Sequence, residues 1–244
     1  MPTGRDRGAD GVSVIARGAD AAPPAVAAPP EARPRHRPPP SSLVQYGCVS
    51  QATLQTDRIR LIPLGDEHLE FEVELDSDPE VMRYLTGDGR TRAQVERAHG
   101  LRLETAEAVE GLGFWVGFVG DEFVGWWLLQ PAGWGEDELV PGQAELGYRL
   151  LRRHWGKGLA TEGAREMLRN GFQDLDLERV FALTMTVNER SRATMSSAGL
   201  AFIRTFYEED DDREGSEHGA VEYAITREQW ETAQANAGVA APHA

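Results

Sequence analysis

Hydrophobic and polar positions fall into short periodic blocks from about residue 51 onward. TDRIRLIPL (56–64) alternates and predicts a strand, whereas GDEHLEFEVEL (65–75) and DPEVMRYL (78–85) predict short helices. Thr91 and Gln94 have capping-box spacing and open a helix to about Val109. GFWVGFVG (113–120) and FVGWWLLQ (123–130), joined through Gly120-Asp121-Glu122, predict a hairpin. PAGWGEDELVPG reads as a loop and QAELGYRLL (143–151) as a strand. Ala160, Ala164, Leu168 and Phe172 recur every four residues, the stripe of a helix from about Leu159 to Gln173. LERVFALTMTV (177–187) is predominantly apolar, as a buried strand is. NERSRATMSSAG predicts a short helix closed by Gly199. AFIRTFYEE (201–209) and AVEYAIT (220–226) predict strands around the acidic loop EEDDDREGSEHG, and a last helix carries Trp230.

This order is β, α, α, a β hairpin, β, α, β, α, β, β. It predicts an α/β (α+β) domain with a mixed sheet and helices on both faces. The segment 143–187 is a β-α-β crossover. Residues 1–50, with PP at 23, PP at 29 and PPP at 38, predict a disordered Ala/Pro/Arg-rich tail of polyproline character. Residues 51–235 form the predicted folded domain, with 236–244 a flexible C-terminus. Val44 and Val49 are alternative start positions.

Composition narrows the class. The chain has 244 residues and 41% hydrophobic content, enough for one packed domain plus a tail. No apolar run approaches the roughly 18 residues of a membrane span, and GVSVIA is too short for a secretory h-region. The single cysteine, Cys48, fits a reducing, cytoplasmic setting. Six arginines against four acidic residues leave 1–50 at +2, so the −15 of the whole chain places −17 on residues 51–244. Such a body repels a nucleic-acid backbone and attracts cationic substrates, besides favouring solubility. Neither nucleic acid nor membrane is an expected partner, and a monomer or homodimer is expected.

The chemistry-bearing stretch is RRHWGKGLATE (152–162). Two glycines stand between a strand and a helix, where backbone amides without intrahelical partners and the macrodipole favour phosphate. Gly156 and Gly158 allow close approach, and Arg152, Arg153 and Lys157 add positive charge. A Walker A loop needs Gly-Lys-Ser/Thr, but Gly158 follows Lys157. A dinucleotide loop needs a small third residue where Thr161 stands, and the second strand ends TMTVNE without an acidic ribose partner in place.

Arg153-His154-Trp155-Gly156-Lys157-Gly158 matches R/Q-x-x-G-x-G/A and resembles the acetyl-CoA pyrophosphate loop of the GNAT acetyltransferases. The resemblance covers roughly residues 53–230. Through LQTDRIRLIPL, DPEVMRYL, AELGYRLLRRHWGKGLATEG and NERSRATMSSAGL it is similar to the RimJ/RimL branch, whose named members acetylate N-terminal amines of ribosomal proteins. It implies a mostly antiparallel sheet with a V-shaped splay between the fourth and fifth strands. The pantetheine arm of acetyl-CoA would enter that V along Arg149, Leu150 and Leu151. The pyrophosphate would sit at Arg153 and on the amides of Trp155, Gly156, Lys157, Gly158, Leu159 and Ala160. Asn188 matches an asparagine placed near the cofactor, and Ser191 matches a serine proposed to protonate or stabilise the departing thiolate. Met195 stands where many members have a tyrosine, and it cannot donate.

The acceptor must be a neutral amine. Deprotonating a lysine-like ammonium at pH 7 costs about 4–5 kcal/mol, an α-ammonium only about 1 kcal/mol. A carboxylate can take that proton directly or through water. Glu145, two residues before Gly147, is the first candidate base, with Glu104, Glu136 and Glu138 as alternatives. Trp115, Trp134 and Tyr148 are candidates for lining the acceptor pocket. Trp126 and Trp127 face opposite ways, so at least one is core. His154 reads as a turn residue. The six histidines show no metal-ligand spacing, so no metal is expected. The acceptor is a protein N-terminus or a small-molecule amine, and the alternative is an acetyl-CoA sensor without turnover.

Overall fold

The computed structural model describes residues 51–134, 139–207 and 213–239, with side chains as far as Asn236. The expected N-terminal tail, Cys48, Glu136 and Glu138, the acidic segment 208–212 and residues 240–244 lie outside the described residues.

Eight strands build one sheet: β1 (Leu54–Gln55), β2 (Arg60–Pro63), β3 (Gly113–Val119), β4 (Glu122–Ala132), β5 (Val140–Leu150), β6 (Arg179–Met185), β7 (Ala201–Phe206) and β8 (Ala220–Thr226). Their order across the sheet is β1-β2-β3-β4-β5-β6-β8-β7. Every neighbouring pair is antiparallel except β5 and β6, which are parallel. That pair holds register only from Gln143 opposite Arg179 to Glu145 opposite Phe181. Both strands run on, to Leu150 and Met185, so they diverge beyond Glu145. This is the expected splay. It lies between β5 and β6 because the two-residue β1, unforeseen from sequence, shifts the count by one.

Helices cover both faces. One face carries α4 (Leu159–Arg169) and α5 (Glu189–Ala198), with Trp230 of α6 (Arg227–Val239). The other carries α1 (Leu69–Asp76), α2 (Pro79–Met82) and α3 (Arg92–Ala108). Strand alternation divides the core accordingly. Trp127 and Leu129 of β4 pack toward α4, Trp126 and Leu128 toward the α1–α3 side. Both tryptophans are therefore core.

The sequence periods explain the main elements. The α4 stripe seats the helix on the sheet, and Gly163 in its second turn makes the seat close. A Cβ there would lie 2.3 Å from the Trp127 ring. The Trp127 indole N–H donates to the Ala160 carbonyl at 3.3 Å. The expected helix to Gln173 ends in regular form at Arg169 and finishes as a π turn over Asn170–Asp174. Thr91 and Gln94 form the expected box at the start of α3. Asn188 caps α5 by accepting the Ser191 N–H at 3.2 Å, and Gly199 ends it in the left-handed region. The last helix continues to Val239, past the expected boundary at 235.

One feature has no apolar signature. Glu72 and Asp76 of α1, His99 and Arg102 of α3, and Arg149 of β5 form a buried ionic network. Arg102 Nη1 donates to Glu72 at 2.5 Å and Nη2 to Asp76 at 2.8 Å. Arg149 pairs with the other Asp76 oxygen, and His99 Nδ1 with Glu72. The Arg149 guanidinium also lies 4.7 Å from the Trp126 ring centroid. Burial opposes ionisation of Asp76, but the Arg149 and Arg102 charges outweigh it and hold the carboxyl down at about 2. The network locks α1 and α3 to the cofactor strand.

Candidate active site

The cradle forms where β5 hands over to α4. A short turn at Arg152–His154 leads into Trp155, whose indole N–H donates back to the Leu150 carbonyl at 2.7 Å. Gly156 and Gly158 take φ of 70° and 74°, the left-handed region that favours glycine. The Glu162 backbone N–H donates to the Gly158 carbonyl at 3.0 Å. The amides of Leu159, Ala160 and Thr161 therefore precede the intrahelical ladder at the positive end of α4. A cleft of about 310 Å³ opens against them, lined on the α4 side by Trp155, Gly156, Gly158, Leu159 and Ala160 and on the α5 side by Arg190, Ala193, Thr194 and Ser197. Glycines, first-turn amides and a cleft over them are what a pyrophosphate and its arm require, so the residues fit acetyl-CoA.

The charges are arranged differently from the sequence reading. Arg153 is turned away to Glu74 at 2.6 Å and Glu122 at 3.2 Å, and Arg152 approaches Asp78 at 3.6 Å. Acidic side chains of α1, the α2 cap and β4 hold these two guanidiniums, and neither lines the cleft. Lys157 is exposed on the loop. Arg190 enters from α5, a residue the sequence reading missed. Its signal was the 190, 193/194, 197 spacing of one helix face.

Arg58 was also missed. Its Nη1 donates to the Lys157 carbonyl at 2.9 Å and its Nε to Glu162 at 2.6 Å. Thr56 Oγ1 donates to the same carboxylate at 2.5 Å. Burial pushes the Glu162 carboxyl up, but these bonds outweigh it and hold it below the usual range. The turn before β2 thus clasps the loop. His154 is buried with Nε2 3.1 Å from Glu122, and burial lowers its affinity for a proton. It is the turn residue expected.

Ser191 is fully buried in the first turn of α5, one position off the face that lines the cleft. The Tyr148 phenol donates to the Ser191 carbonyl at 3.2 Å and lies 3.5 Å from its hydroxyl. Tyr148 was expected to line the acceptor pocket. Instead it points to the α4/α5 side of the sheet, and burial pushes its ionisation above the ordinary tyrosine range. Asn188 Nδ2 donates to Thr184 at 3.1 Å while its oxygen caps α5, so its side chain is committed to the fold. Met195 is core.

A second cavity, of about 490 Å³, opens on the opposite face, over the paired stretch of β5 and β6. Glu145 lines it with Gln130 and Gln143; Trp134, Arg179, Phe181, Arg204 and Glu222 complete the wall. Glu145 is buried on its strand. Trp134, a candidate for lining the acceptor pocket, is in the wall of this cavity. Trp115 is not: it is buried in the core, its indole N–H donating to the Ala52 carbonyl at 2.9 Å. Strand alternation could not distinguish these roles, because both faces of β3 are covered. Leu150 borders the cofactor cleft, whereas Leu151 is core and the Arg149 side chain is held by Asp76. Glu104 is exposed on α3 and lines neither cavity. From Glu145 to Leu150 the strand advances roughly 17 Å, so β5 connects the two cavities.

Residues 58–201 match the model of the acetyltransferase (GNAT) domain, and the chain belongs to that family. It is an acetyl-CoA-dependent N-acetyltransferase. Among its relatives is the Aspergillus fumigatus protein named FsC-acetyl coenzyme A-N(2)-transacetylase, 44% identical over 185 residues, covering 74% of this chain and 79% of that one. Solved structures of the same fold include the RimL ribosomal L7/L12 alpha-N-protein acetyltransferase with coenzyme A, at TM-score 0.60 and 13% identity, covering 70% of this chain and 95% of that one. The aminoglycoside acetyltransferase AAC(6')-Ib with coenzyme A aligns at TM-score 0.58 and 20% identity, covering 72% and 99%. Among the described residues no three His, Cys, Asp or Glu side chains group as metal ligands, and no helix is long and apolar enough to cross a membrane.

Proposed function

We propose that the chain acetylates a primary amine on a small molecule, within a ternary complex of enzyme, acetyl-CoA and acceptor. The observation that carries this is the pair of cavities on opposite faces of β5, one beside Glu145 where β5 still pairs with β6 and one at Leu150 beyond the splay. One is built for a phosphate-bearing arm. The other has a volume of about 490 Å³, a size that suits a small acceptor. The name of the 44% identical relative, which specifies transfer to an N(2) position, supports the same class.

In this reading acetyl-CoA supplies an acetyl thioester. The amides of residues 156–160 hold its diphosphate, that of Trp155 being taken by the Arg152 carbonyl, and the backbone of Arg149, Leu150 and Leu151 guides its arm. Glu145, on the acceptor side, receives the proton that the amine loses as its nitrogen bonds to the acetyl carbon. Ser191, braced by Tyr148, lies at the α5 end of the splay where the departing sulfur takes a hydrogen bond. Holding both partners along β5 provides the positional part of catalysis.

The test is release of CoA from acetyl-CoA with a panel of amino acids, amino esters, polyamines, amino sugars and peptides with free N-termini. The proposal expects turnover with small amines and slow or no turnover with peptides. Glu145→Gln should lower kcat and remove the alkaline rise of the pH–rate profile while acetyl-CoA affinity, read by calorimetry, stays near wild type. Tight acetyl-CoA binding without release for any amine would make the chain a sensor.

A further inference from the structure

The acceptor cavity is not uniformly acidic, although the chain is. Glu222 sits between Arg179, which it pairs with, and Arg204, whose Nε lies 2.7 Å away. Burial pushes the Glu222 carboxyl up, but the Arg204 and Arg179 guanidiniums outweigh it and keep it ionised. Among the described residues, one carboxylate between two guanidiniums leaves that corner at +1. Glu145, on the next strand, provides the carboxyl group of the opposite corner.

The sheet register sets the spacing. Glu145 is opposite Phe181, and Arg179 is two residues before Phe181 on the adjacent strand. One strand spacing and two residues of rise place the Glu145 and Arg179 backbones roughly 8 Å apart. Arg179 is held in place: Nη1 donates to Gln143 at 3.1 Å, and its guanidinium lies 5.2 Å from the Phe181 ring centroid. The bonds to Gln143 and Glu222 use two of the five N–H donors of a guanidinium. Arg204 stacks likewise on Phe206 at 5.2 Å, and its side chain is 64% exposed. The rim is apolar. Val140 is 44% and Tyr207 71% exposed, and both line the cavity with Trp134 and Phe206.

We infer that the acceptor is a 2-amino acyl compound with an apolar arm: its amine at Glu145, its neighbouring carboxyl-type oxygen on the Arg179–Glu222–Arg204 clamp, and its arm against Trp134, Val140 and Tyr207. This rests on the acetyltransfer reading and makes it narrower. A polyamine has no oxygen for the two arginines of this wall to bind. An amine beside a carboxylate or carbonyl matches both corners. An amine next to a carbonyl is also the easier one to deprotonate, so Glu145 has less to do.

The experiment uses the full chain and CoA release with L-leucine, L-leucine methyl ester, 3-methylbutylamine and spermidine. The first three share one apolar arm; only the first two have the carboxyl-type oxygen. kcat/KM is compared per neutral amine, which removes the difference in amine pKa. Leucine or its ester should exceed 3-methylbutylamine by about tenfold or more, as a hydrogen bond to a guanidinium supplies. Arg204→Ala and Arg179→Lys should each bring that ratio toward one. Equal or better use of 3-methylbutylamine or spermidine overturns the inference and leaves acetyltransfer standing, as does a ratio that neither substitution moves. Acetyl-CoA binding without release from any of the four, or from the wider panel above, overturns the acetyltransfer reading itself.

Discussion

The Tyr148 phenol reaches across the opening between β5 and α5 to donate to the Ser191 carbonyl at 3.2 Å. A strand residue thereby fixes the first turn of the helix that closes the splay. Its raised ionisation keeps the phenol protonated throughout the working range, so it remains a donor. Ser191→Ala should lower kcat at least about tenfold with the acetyl-CoA KM little changed, as loss of a donor to developing negative charge does. Tyr148→Phe should cost about 1 kcal/mol in urea unfolding and slow turnover less. Steady-state kinetics of the two variants check the order; an unchanged kcat in Ser191→Ala would remove the serine from the chemistry.

Gly156 tests the cradle. At φ of 70° an aspartate is among the side chains that tolerate the backbone best, so Gly156→Asp mainly adds a negative charge beside the diphosphate. Acetyl-CoA affinity by calorimetry should fall more than about tenfold. Unchanged affinity would mean that the diphosphate binds elsewhere.

Arg58 tests whether the loop must be held. Arg58→Ala releases the Lys157 carbonyl and one side of Glu162. The pair is half exposed on the arginine side, so the stability cost should be below about 1 kcal/mol. The acetyl-CoA KM should rise several-fold with kcat nearly retained, because a looser loop meets the diphosphate less often in the binding geometry.

The ionic network predicts a two-sided pH response. Asp76 has a folded value of about 2, below its unfolded value near 3.9. Its contribution is therefore present above pH 4 and lost as pH falls toward 2, on the order of 2 kcal/mol. Asp76→Asn removes that acid limb and costs about 3–5 kcal/mol at neutral pH, since Arg102 and Arg149 lose their counter-charge. His99 is raised, first by its bond to Glu72, so its contribution is present below pH 6.5 and lost as pH rises through the folded value. His68 is lowered, first by burial, and acts in the opposite sense: its contribution is lost as pH falls below 6.5. The difference between wild type and His99→Asn in urea titrations from pH 5 to 9 isolates the first of these.

Periodicity carried the fold a long way. Every strand of four residues or more and every helix of eight or more was visible as a stripe or an alternation, and the GKG turn marked the cradle. What periodicity could not carry were pairings between distant residues. The sequence places Arg149 on the cofactor strand but says nothing of Asp76, 73 positions away, which takes its guanidinium. The same holds for Arg153 with Glu74 and for Arg58 with Glu162. Trp115 and Trp134 looked alike as aromatic candidates because burial depends on what covers a strand, and no local pattern records that. The acidic total also pointed toward a cationic acceptor, whereas the described cavity wall carries two arginines, Arg179 and Arg204.

Gly163 has a consequence for how such a site diversifies. With no side chain between helix and indole, the depth at which the first turn sits above the sheet is set by the thickness of one aromatic ring. A single methyl at that position acts as a shim. It would tilt the whole first turn, amides included, without touching any group that meets the co-substrate. Position 163 is therefore a mechanical adjustment for the cradle, and a designer seeking a roomier or tighter thioester carrier would begin there rather than in the loop.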